Sequence, residues 1–580
     1  MTNSNGKVLR SEAWFGPRDL EGFLHRSGLK NQGWDEDSFA GKPVIGIANS
    51  WSEATHCNAH LRLIAEHVKR GVIAAGGFPL EFPTISLGEF FLAPTSMLYR
   101  NLMAMDVEEM IRGLPIDGVV LLSNCDKTTP AMLMGAASAD LPAIIVTGGP
   151  QLKGNWRGEE LGSCTDCRRY WSELRAGTIT QAEYDSMEEA IYRSPGHCMV
   201  MGTASTMSVI CEALGMTLPG GAAIPGADSR RRVFAERAGA AAVDLVQRNM
   251  RPSEILTEEA FENAALSLLA LGGSTNAIIH LTAIAGRVGV DLPLARWEEL
   301  SECVPVIANL KPSGKFLMED FFYAGGAPAF FKKILHLLNA NCISVNGQTL
   351  AENVAGADCH NDDVILDPAH ALYPDGGISI LHGSLAPDGA VIKRSAASPK
   401  LLQHTGRAVV FTSPADLSRR IDDPDLDVTE DDVLVMQSAG PIGGPGMPEA
   451  GFMPLPRKIL EQGVRDMVRI SDARMSGTAF GTVVLHVSPE SAIGGPLALV
   501  RDGDMISLDA NSGRLDLLVN DAELARRRAE LQSAARANGH PERGYMHVYN
   551  RHVMQAQHGC DFDFAVGRTP VATHVEMEGH

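Results

Sequence analysis

The chain has 580 residues, of which 45% are hydrophobic and 21% charged, the balance of an ordinary globular protein with room for two to four domains. Its formal net charge of −20 repels nucleic acid and anionic membranes, so neither is expected as a partner. Residues 1–16 lack the apolar core of a secretory signal, and no run reaches the ~18 apolar residues that span a bilayer. A cytoplasmic location is therefore expected, where the ten cysteines stay reduced and are free, catalytic or metal-bound.

The first two-thirds of the chain alternates between short apolar runs and helical patterns. Three runs predict buried strands: GKPVIGIANSW, DGVVLLSN and LPAIIVTGG. Helical patterns follow the first two runs, over residues 59–73 and 130–137. Residues 162–194 are helical and polar and are interpreted as an excursion, whereas residues 199–214 predict an apolar helix and residues 254–339 a mostly helical region. This alternation predicts a parallel sheet with helices on its faces.

The pattern changes near Asp375, where short apolar runs are separated by Gly, Pro and Asp turns. Seven of these runs predict strands: GISILHG, GAVIK, RAVVFTS, DVLVMQ, TVVLHV, MISLD and RLDLLV. The predicted fold class is α/β. An N-terminal parallel-sheet α/β domain is expected over residues 1–375, and a C-terminal, β-rich, barrel-like domain with surrounding helices over residues 376–580.

Three cysteines share one kind of position. Cys57 and Cys125 each follow a predicted strand, and all three, with Cys198, precede a helical segment. Unpaired N–H groups and the helix dipole favour a thiolate at such a junction, and ligands bind where strands of an open α/β sheet end. A lone buried cysteine is more often a small hydrophobe. Asp126 and Lys127, however, put charged groups beside Cys125 that packing alone does not require.

Three thiolates suit an iron–sulfur cluster better than a closed zinc site, which needs four ligands. A cluster on three cysteines leaves one iron open to act as a Lewis acid on a substrate hydroxyl. Cys164 and Cys167 form a C-x-x-C, the pattern of zinc or thiol redox sites, but no second pair accompanies them. We interpret them as incidental. A thiol oxidoreductase that uses this pair, or a non-catalytic metal-binding protein, remains the alternative from a different functional class.

Seven ordered segments resemble the family of dihydroxy-acid, phosphogluconate and sugar-acid dehydratases, and they cover nearly the whole chain. They are THCNAHL, SNCDKTTPAMLMGAA, GHCMVMGTASTMSVICEALGM, LGGSTNAIIHL, LAPDGAVIK, GPIGGPGMPE and ISDARMSGTAFG. Within the family the chain looks most like the pentonate dehydratases, which act on L-arabinonate or D-xylonate. Ser384 and Ile442 stand where the family often has Asn and Lys. A branched-chain dihydroxy-acid dehydratase and a 6-phosphogluconate dehydratase remain alternatives inside the family.

The resemblance implies two cofactors, a [2Fe–2S] cluster and Mg²⁺. The residues that match the family's cluster ligands are Cys57, Cys125 and Cys198. The residues that match its magnesium carboxylates are Glu89, Asp126 and Glu449. Lys127 matches a lysine that can be carbamylated to add another oxygen ligand. The family's fold is an N-terminal α/β region with a C-terminal β-barrel domain, usually assembled as a homodimer or a dimer of dimers.

The resemblance also implies the catalytic groups: Ser476 matches the family's base, and Thr478 a supporting hydroxyl. Dehydration of a 2,3-dihydroxy acid takes a proton from C2 and hydroxide from C3, and the enol then becomes a 2-keto acid. Oxygen ligands such as these carboxylates are the type that Mg²⁺ prefers. A serine is a weak base unless it is activated, so the site must supply positive charge near Ser476. Gly477 is expected to allow a close backbone approach there.

Overall fold

The computed structural model of the protein describes residues 9–534 and 543–567. Residues 1–8, half of the stretch predicted to lack a secretory signal, lie outside the described residues. Within the two described ranges, no helix is both long enough and apolar enough to cross a lipid bilayer.

A four-stranded parallel sheet organises the N-terminal half. Its strands are β1 (Val44–Asn49), β2 (Phe78–Pro83), β3 (Gly118–Ser123) and β4 (Ala143–Thr147), in the spatial order β2-β1-β3-β4. Strands β1, β3 and β4 are buried along their whole length, as apolar strands covered by helices are, and they confirm the three predicted strands. Strand β2 was not predicted because Pro79 and Pro83 interrupt its pattern. Proline is tolerated there because β2 is an edge strand.

Helices cover this sheet and fill most of the N-terminal half. They are α1 (Glu12–Phe15), α2 (Leu20–Lys30), α3 (Glu36–Phe39), α4 (Leu61–Ala74), α5 (Arg100–Gly113), α6 (Thr128–Ala139), α7 (Ser163–Arg175), α8 (Gln181–Asp185), α9 (Glu188–Ile191), α10 (Thr203–Ala213), α11 (Ser229–Arg248), α12 (Pro252–Ile255), α13 (Glu258–Ala270), α14 (Asn276–Arg287), α15 (Leu294–Ser301), α16 (Met318–Tyr323), α17 (Gly326–Ile334) and α18 (Leu350–Val354). Helices α4 and α6 confirm the two helical patterns predicted after the first two strands. A small hairpin, β5 (Gly154–Trp156) with β6 (Glu159–Leu161), precedes α7.

The C-terminal half contains an eight-stranded sheet that curls into a nearly closed barrel. Its strands are β7 (Ser379–Leu381), β8 (Gly389–Ile392), β9 (Gln403–Phe411), β10 (Val433–Met436), β11 (Arg469–Ser471), β12 (Val483–Ser488), β13 (Met505–Asp509) and β14 (Arg514–Leu517), in the order β14-β13-β9-β10-β11-β12-β8-β7. At the open seam His382 donates its N–H to the Gly513 carbonyl at 2.8 Å and accepts from the Leu515 N–H at 2.9 Å. These bonds confirm the predicted barrel-like sheet.

The neighbouring strands β9, β10, β11 and β12 are parallel, and the remaining pairs of the barrel are antiparallel. Seven of the eight strands match the seven predicted runs. The eighth, β11, is only three residues long and shows no pattern that sequence could reveal. Four helices lie among or after these strands: α19 (Pro414–Arg420), α20 (Arg457–Glu461), α21 (Asp521–Ala534) and α22 (Tyr545–His552). The domain boundary at residues 375 and 376 stays a prediction.

Helices α4 and α11 touch backbone to backbone at two glycines. A Cβ atom on Gly71 would lie 1.8 Å from the Glu236 carbonyl oxygen, and one on Gly239 would lie 2.2 Å from the Val68 carbonyl oxygen. Both distances are far below van der Waals contact, and backbone atoms cannot rotate away as a flexible side chain can. The close crossing of this helix pair therefore depends on the absence of side chains at both positions.

Replacing Gly71 with alanine is expected to lower the thermal unfolding midpoint by several degrees, since overpacking costs about 1–3 kcal/mol or more. The matched control is Gly28→Ala, at an exposed position of α2 with no atom near the added methyl group. That variant should unfold at the wild-type temperature or slightly above, because alanine favours helix over glycine. Circular dichroism on heating measures both, and equal midpoints for the two variants would contradict the packing described.

Candidate active site

A cavity of about 190 Å³ lies where the two halves of the protein meet. The sequence-predicted residues in its wall are Cys57, Cys125, Cys198, Glu89, Asp126, Glu449, Ser476 and Thr478. Lys127, the remaining predicted residue, is fully buried behind the wall, where it contacts the carboxylates. Eight residues that are scattered over more than 400 positions of sequence therefore share one small space.

Strand topology explains how they meet. Cys57, Glu89 and Cys125 lie in the segments that follow β1, β2 and β3, and parallel strands end at the same edge of a sheet. From β1 the chain proceeds to one side and from β3 to the other, so a crevice opens between these two strands. Glu449 and Ser476 lie in the segments that follow the parallel strands β10 and β11 of the barrel. The two edges face each other across the cavity.

Two asparagines fix the first two cysteine loops against each other. The Asn124 side-chain amide donates to the Cys57 carbonyl at 2.8 Å, and the Asn58 side-chain oxygen accepts from the Cys125 N–H at 3.0 Å. Both asparagines are fully buried. Because each loop hydrogen-bonds the other through a residue adjacent to its own cysteine, the two thiols are held in a fixed relative position.

The third cysteine is positioned from the end of β4. The N–H of His197 donates to the Gly149 carbonyl at 3.0 Å, and its carbonyl accepts from the Gln151 N–H at 2.8 Å. This pairing ties Cys198 to the segment that follows β4. The third thiol thus reaches the same sheet edge through a bridge to a strand-following loop, although no strand directly precedes it.

The pKa values of Cys57 and Cys198 are raised. The hydrogen bond with Cys125, burial and nearby negative groups raise the pKa of Cys57 well above its usual value. The hydrogen bond with Cys164 and burial do the same for Cys198. Crowded thiols resist ionising together, so three thiolates at this place require a shared cation. Three cysteine sulfurs that line one cavity are the donor type that an iron–sulfur cluster takes.

Lys127 lies among three carboxylates. Its Nζ atom is 3.2 Å from Glu89 Oε2 and 3.0 Å from Glu449 Oε1, and it also contacts Asp126. Burial acts to lower the pKa of Lys127, but the three carboxylates outweigh it and raise the pKa above its usual value. Burial likewise opposes ionisation of Glu89, but Lys127 and Arg474 lower its pKa to about 2. In the described part of the chain, no three His, Cys, Asp or Glu side chains are arranged as a metal-ligand set. Among Glu89, Asp126 and Glu449, the ammonium of Lys127 occupies the position between the carboxylates.

Arg474 holds two of these carboxylates in place. Its Nη1 donates to Glu449 Oε1 at 3.2 Å, and its Nη2 donates to Thr95 Oγ1 at 3.2 Å. Thr95 in turn donates to Glu89 Oε1 at 2.7 Å. Sequence reasoning missed Arg474, although it lies two residues before Ser476 in the SDARMSG segment. The signal that could have revealed Arg474 was a basic residue within a motif whose neighbours were expected near the carboxylates.

Ser476 and Thr478 form a hydroxyl pair, with their oxygens 2.9 Å apart. Between them, a Cβ atom on Gly477 would lie 2.6 Å from Ser274 Oγ and 2.7 Å from the backbone nitrogen of Thr203. The close approach predicted at this glycine is confirmed. It brings the loop after β11 into contact with the start of α10 and therefore with the cysteine side of the cavity.

Residues 162–194 were interpreted as an excursion from the alternating strands and helices. Their first helix, α7, instead supplies part of the cavity wall. Thr165 donates to the Thr478 carbonyl at 2.7 Å, which fastens α7 to the loop that carries the hydroxyl pair. Cys164 lines the cavity, and the hydrogen bond from Cys198, against the effect of burial, lowers its pKa to about 6. The interpretation of Cys164 as incidental therefore does not describe its position. The contact between Thr165 of α7 and the barrel loop joins segments far apart in sequence, and such a contact leaves no periodic pattern.

Comparison with known proteins identifies the family. The dihydroxy-acid/6-phosphogluconate dehydratase N-terminal model matches residues 42–353, and the C-terminal model of the same family matches residues 363–560. The chain belongs to the dihydroxy-acid/6-phosphogluconate dehydratase family. This confirms the predicted family and its enzyme class, a hydro-lyase.

Three relatives are similar over almost their full lengths. An L-arabinonate dehydratase of Rhizobium leguminosarum bv. trifolii (strain WSM2304) is 54% identical, over 97% of each chain. An L-arabonate dehydratase of Azospirillum brasilense is 53% identical, over 96% of this chain and 97% of its own. A 6-deoxy-6-sulfo-D-gluconate dehydratase of Pseudomonas putida is 51% identical, over 97% of this chain and 98% of its own.

Replacing Gly477 with alanine is expected to reduce dehydratase turnover by about 100-fold, because displacing groups in an active-site wall by about 1 Å can cost that much. The added methyl group would push the Ser476 loop away from Ser274 and Thr203. Turnover is measured as keto-acid formation, with the unfolding temperature as a check on folding. Gly28→Ala, in open space on α2, should keep wild-type turnover. Full activity in Gly477→Ala would show that the close approach does not position the serine.

Proposed function

We propose that this protein dehydrates a sugar acid, such as L-arabinonate, D-xylonate or a similar aldonate, to the 2-keto-3-deoxy acid. The observation that carries the proposal is the convergence of three thiols, three carboxylates and a hydroxyl pair on one cavity. Those are the groups that removal of a C2 proton and a C3 hydroxide requires. The names of the relatives at 51–54% identity, all sugar-acid dehydratases, support the same substrate class.

The remaining wall of the cavity contains side chains that can hydrogen-bond a polyhydroxylated substrate. His56 and Thr203 line it, beside the apolar Phe90 and Ala204. A site built to hydrogen-bond hydroxyl groups discriminates strongly against an analogue that lacks them, since its own polar groups are then left unpaired. A branched-chain dihydroxy acid offers alkyl groups in their place. The branched-chain activity is therefore the less favoured alternative within the family.

Two cofactors belong to the proposal. Cys57, Cys125 and Cys198 would hold a [2Fe–2S] cluster, which supplies an open iron as a Lewis acid toward the departing hydroxyl. The oxygen-rich set for Mg²⁺ would consist of Glu89, Asp126, Glu449 and a carbamylated Lys127. A magnesium ion supplies positive charge for the carboxylate and C2 oxygen of the substrate. Carbamylation would replace the Lys127 ammonium by an anionic oxygen donor and so free the carboxylates for a cation.

The chain's own residues carry the proton transfer. Ser476, as an alkoxide, would take the C2 proton, and the electron pair of that C–H bond would form the enol double bond between C2 and C3 while the C3–O bond breaks. The departing hydroxide would take the proton from Ser476 and leave as water, which regenerates the alkoxide. The enol then tautomerises to the keto acid. Thr478 lies within hydrogen-bond reach of the serine oxygen, where a hydroxyl donor stabilises negative charge. Lys127, once carbamylated, would add an oxygen donor beside the carboxylates that line the cavity.

We also infer a cytoplasmic homodimer or homotetramer that has no nucleic-acid or membrane partner. All ten cysteines are free, as expected in a reducing compartment, and the net charge is −20. The surface of α2 exposes Leu20, Phe23 and Leu24 side by side, and clustered apolar side chains support an interface between subunits.

Purified protein is expected to form 2-keto acid from L-arabinonate or D-xylonate, with Mg²⁺ present, faster than from 2,3-dihydroxyisovalerate or 6-phosphogluconate. The comparison of kcat/KM among the four substrates, made under anaerobic conditions, measures the preference. The polar side chains of the cavity wall would be left unpaired beside the alkyl groups of 2,3-dihydroxyisovalerate, and the names of the relatives favour a pentonate over 6-phosphogluconate. Higher kcat/KM on 2,3-dihydroxyisovalerate would assign the protein to the branched-chain activity instead.

Changing Ser476 to alanine should leave the cluster and its visible absorbance intact while turnover falls by at least ~100-fold, the usual contribution of a positioned base. Ser512→Ala, at an exposed turn, is the matched control and should behave as wild type. The pair of measurements, absorbance and keto-acid rate, separates loss of the base from loss of the cofactor. Wild-type turnover in Ser476→Ala would remove this serine from the mechanism.

A further inference from the structure

The guanidinium of Arg168 lies beside the hydroxyl pair. Its Nη1 donates to Thr478 Oγ1 at 2.7 Å and to the Cys164 carbonyl at 3.2 Å, and its carbon atom Cζ stands 5.4 Å from the centre of the Phe452 ring. The side chain is partly buried and faces the cavity. Neither the family-matching motifs nor the carboxylate cluster includes this arginine, which belongs to α7 in the N-terminal half.

Ionisation of Ser476 fixes the direction of the hydrogen bonds among the three groups. A guanidinium can only donate, so Thr478 Oγ1 accepts from Arg168. The oxygens of Thr478 and Ser476 are 2.9 Å apart, and an ionised serine has no hydrogen to donate. The Thr478 hydroxyl must then donate to Ser476 Oγ. The result is a chain of hydrogen bonds that leads from the guanidinium, through one hydroxyl, to the negatively charged serine oxygen.

We propose that Arg168 is a positioning residue that orients the Thr478 hydroxyl toward Ser476 and thereby stabilises the serine oxygen when it is negatively charged. The inference rests on the proposed function, in which Ser476 is the base. Charge-assisted hydrogen bonds are stronger than neutral ones, and each bond in a chain polarises the next. A serine needs such support, because its hydroxyl is otherwise too weakly acidic to serve as a base at neutral pH.

Helix α7 is built to hold this arrangement. Thr165 and Arg168 lie three residues apart, on one face of the helix, and both bind Thr478. Thr165 fixes the backbone of that residue and Arg168 fixes its side chain. The next residue, Arg169, points away and pairs with Glu159 at 2.6 Å. Thr478 is therefore held from the N-terminal half at two points, although it belongs to a loop of the barrel.

A direct contact between Arg168 and the substrate makes a different kinetic prediction. An arginine that binds the substrate equally in the ground state and the transition state changes KM when it is removed, with little effect on kcat. An arginine that acts through Thr478 on the base changes kcat and leaves KM nearly constant. The split between the two constants distinguishes these roles.

The experiment compares Arg168→Met, Arg168→Lys and Arg169→Met in the cluster-loaded enzyme. In Arg168→Met, kcat should fall about 10- to 100-fold, the equivalent of one charged hydrogen bond, with KM within about twofold of wild type. The Lys variant keeps a cationic donor and should recover part of this loss. Arg169→Met, which removes the adjacent charge on the same helix, should retain wild-type kcat. A comparable loss in Arg169→Met would overturn the proposal, because the effect would then belong to α7 as a whole.

A double-mutant cycle with Thr478→Val tests the route. If Arg168 acts through the threonine hydroxyl, then the double variant Arg168→Met/Thr478→Val should be no slower than Thr478→Val alone. Multiplied losses in the double variant would show independent roles and contradict the chain. So would a raised KM with unchanged kcat in Arg168→Met.

The visible absorbance of each variant should equal that of wild type, which excludes damage to the cluster. Different results would overturn the proposed dehydratase function and the proposed role of Arg168. A wild-type enzyme that forms no keto acid from any of the four substrates overturns the proposed function and this inference with it. An active wild-type enzyme with an unimpaired Arg168→Met variant overturns the role of Arg168 alone.

Discussion

The buried ammonium of Lys127 joins the two halves of the molecule electrostatically. Its carboxylate partners Glu89 and Asp126 come from loops of the parallel sheet, and Glu449 comes from a loop of the barrel. Three carboxylates cannot lie this close together away from water without compensating positive charge. Lys127 and Arg474 supply it, and the contact therefore fixes how closely the two sheet edges approach. The dimensions of the cavity follow from this constraint.

The same constraint places different chemical groups on opposite sides of one space. The parallel sheet contributes the thiols, because its strands β1 and β3 end beside the crevice and the end of β4 anchors the third cysteine. The barrel contributes the hydroxyl pair from the loop after β11. Helix α7 of the N-terminal half then hydrogen-bonds the barrel loop that carries the hydroxyl pair. Soft sulfur donors and hard oxygen donors thus adjoin one space, and Cys125 and Asp126 place one of each side by side, which would suit two cofactors with different ligand preferences.

The sequence revealed those features of the fold that leave a periodic or compositional trace. Apolar runs located ten of the strands, and the position of cysteines before a helical segment located three of the four thiols in the cavity. Strand β2 was missed because proline conceals an edge strand, and β11 because three residues carry no period. The wall contributed by α7 and the cation Arg474 depend on contacts between distant segments. Such contacts follow from tertiary packing and leave no local pattern to read.

The carboxylates, Lys127 and the serine were located by resemblance to a family and not by physical reasoning from the residues alone. The physical reasoning also considered each cysteine separately. A thiol at the start of a helix was expected to ionise easily, but the protein brings several thiols together, and their mutual hydrogen bonds raise the pKa values of Cys57 and Cys198. Local position predicts the environment of one cysteine, whereas the number of cysteines that meet is decided by the whole fold.

The central claim is that Cys57, Cys125 and Cys198 hold a cluster on which the activity depends. The most direct test measures iron, acid-labile sulfide, visible absorbance and keto-acid formation in anaerobically purified wild type, Cys125→Ser and Cys303→Ser, the last being an exposed cysteine outside the cavity. The account predicts iron and sulfide in equal amounts, brown colour and turnover in wild type and Cys303→Ser. It predicts that Cys125→Ser loses colour and turnover together. A coloured, active Cys125→Ser enzyme, or a wild type that binds zinc without sulfide, would contradict it.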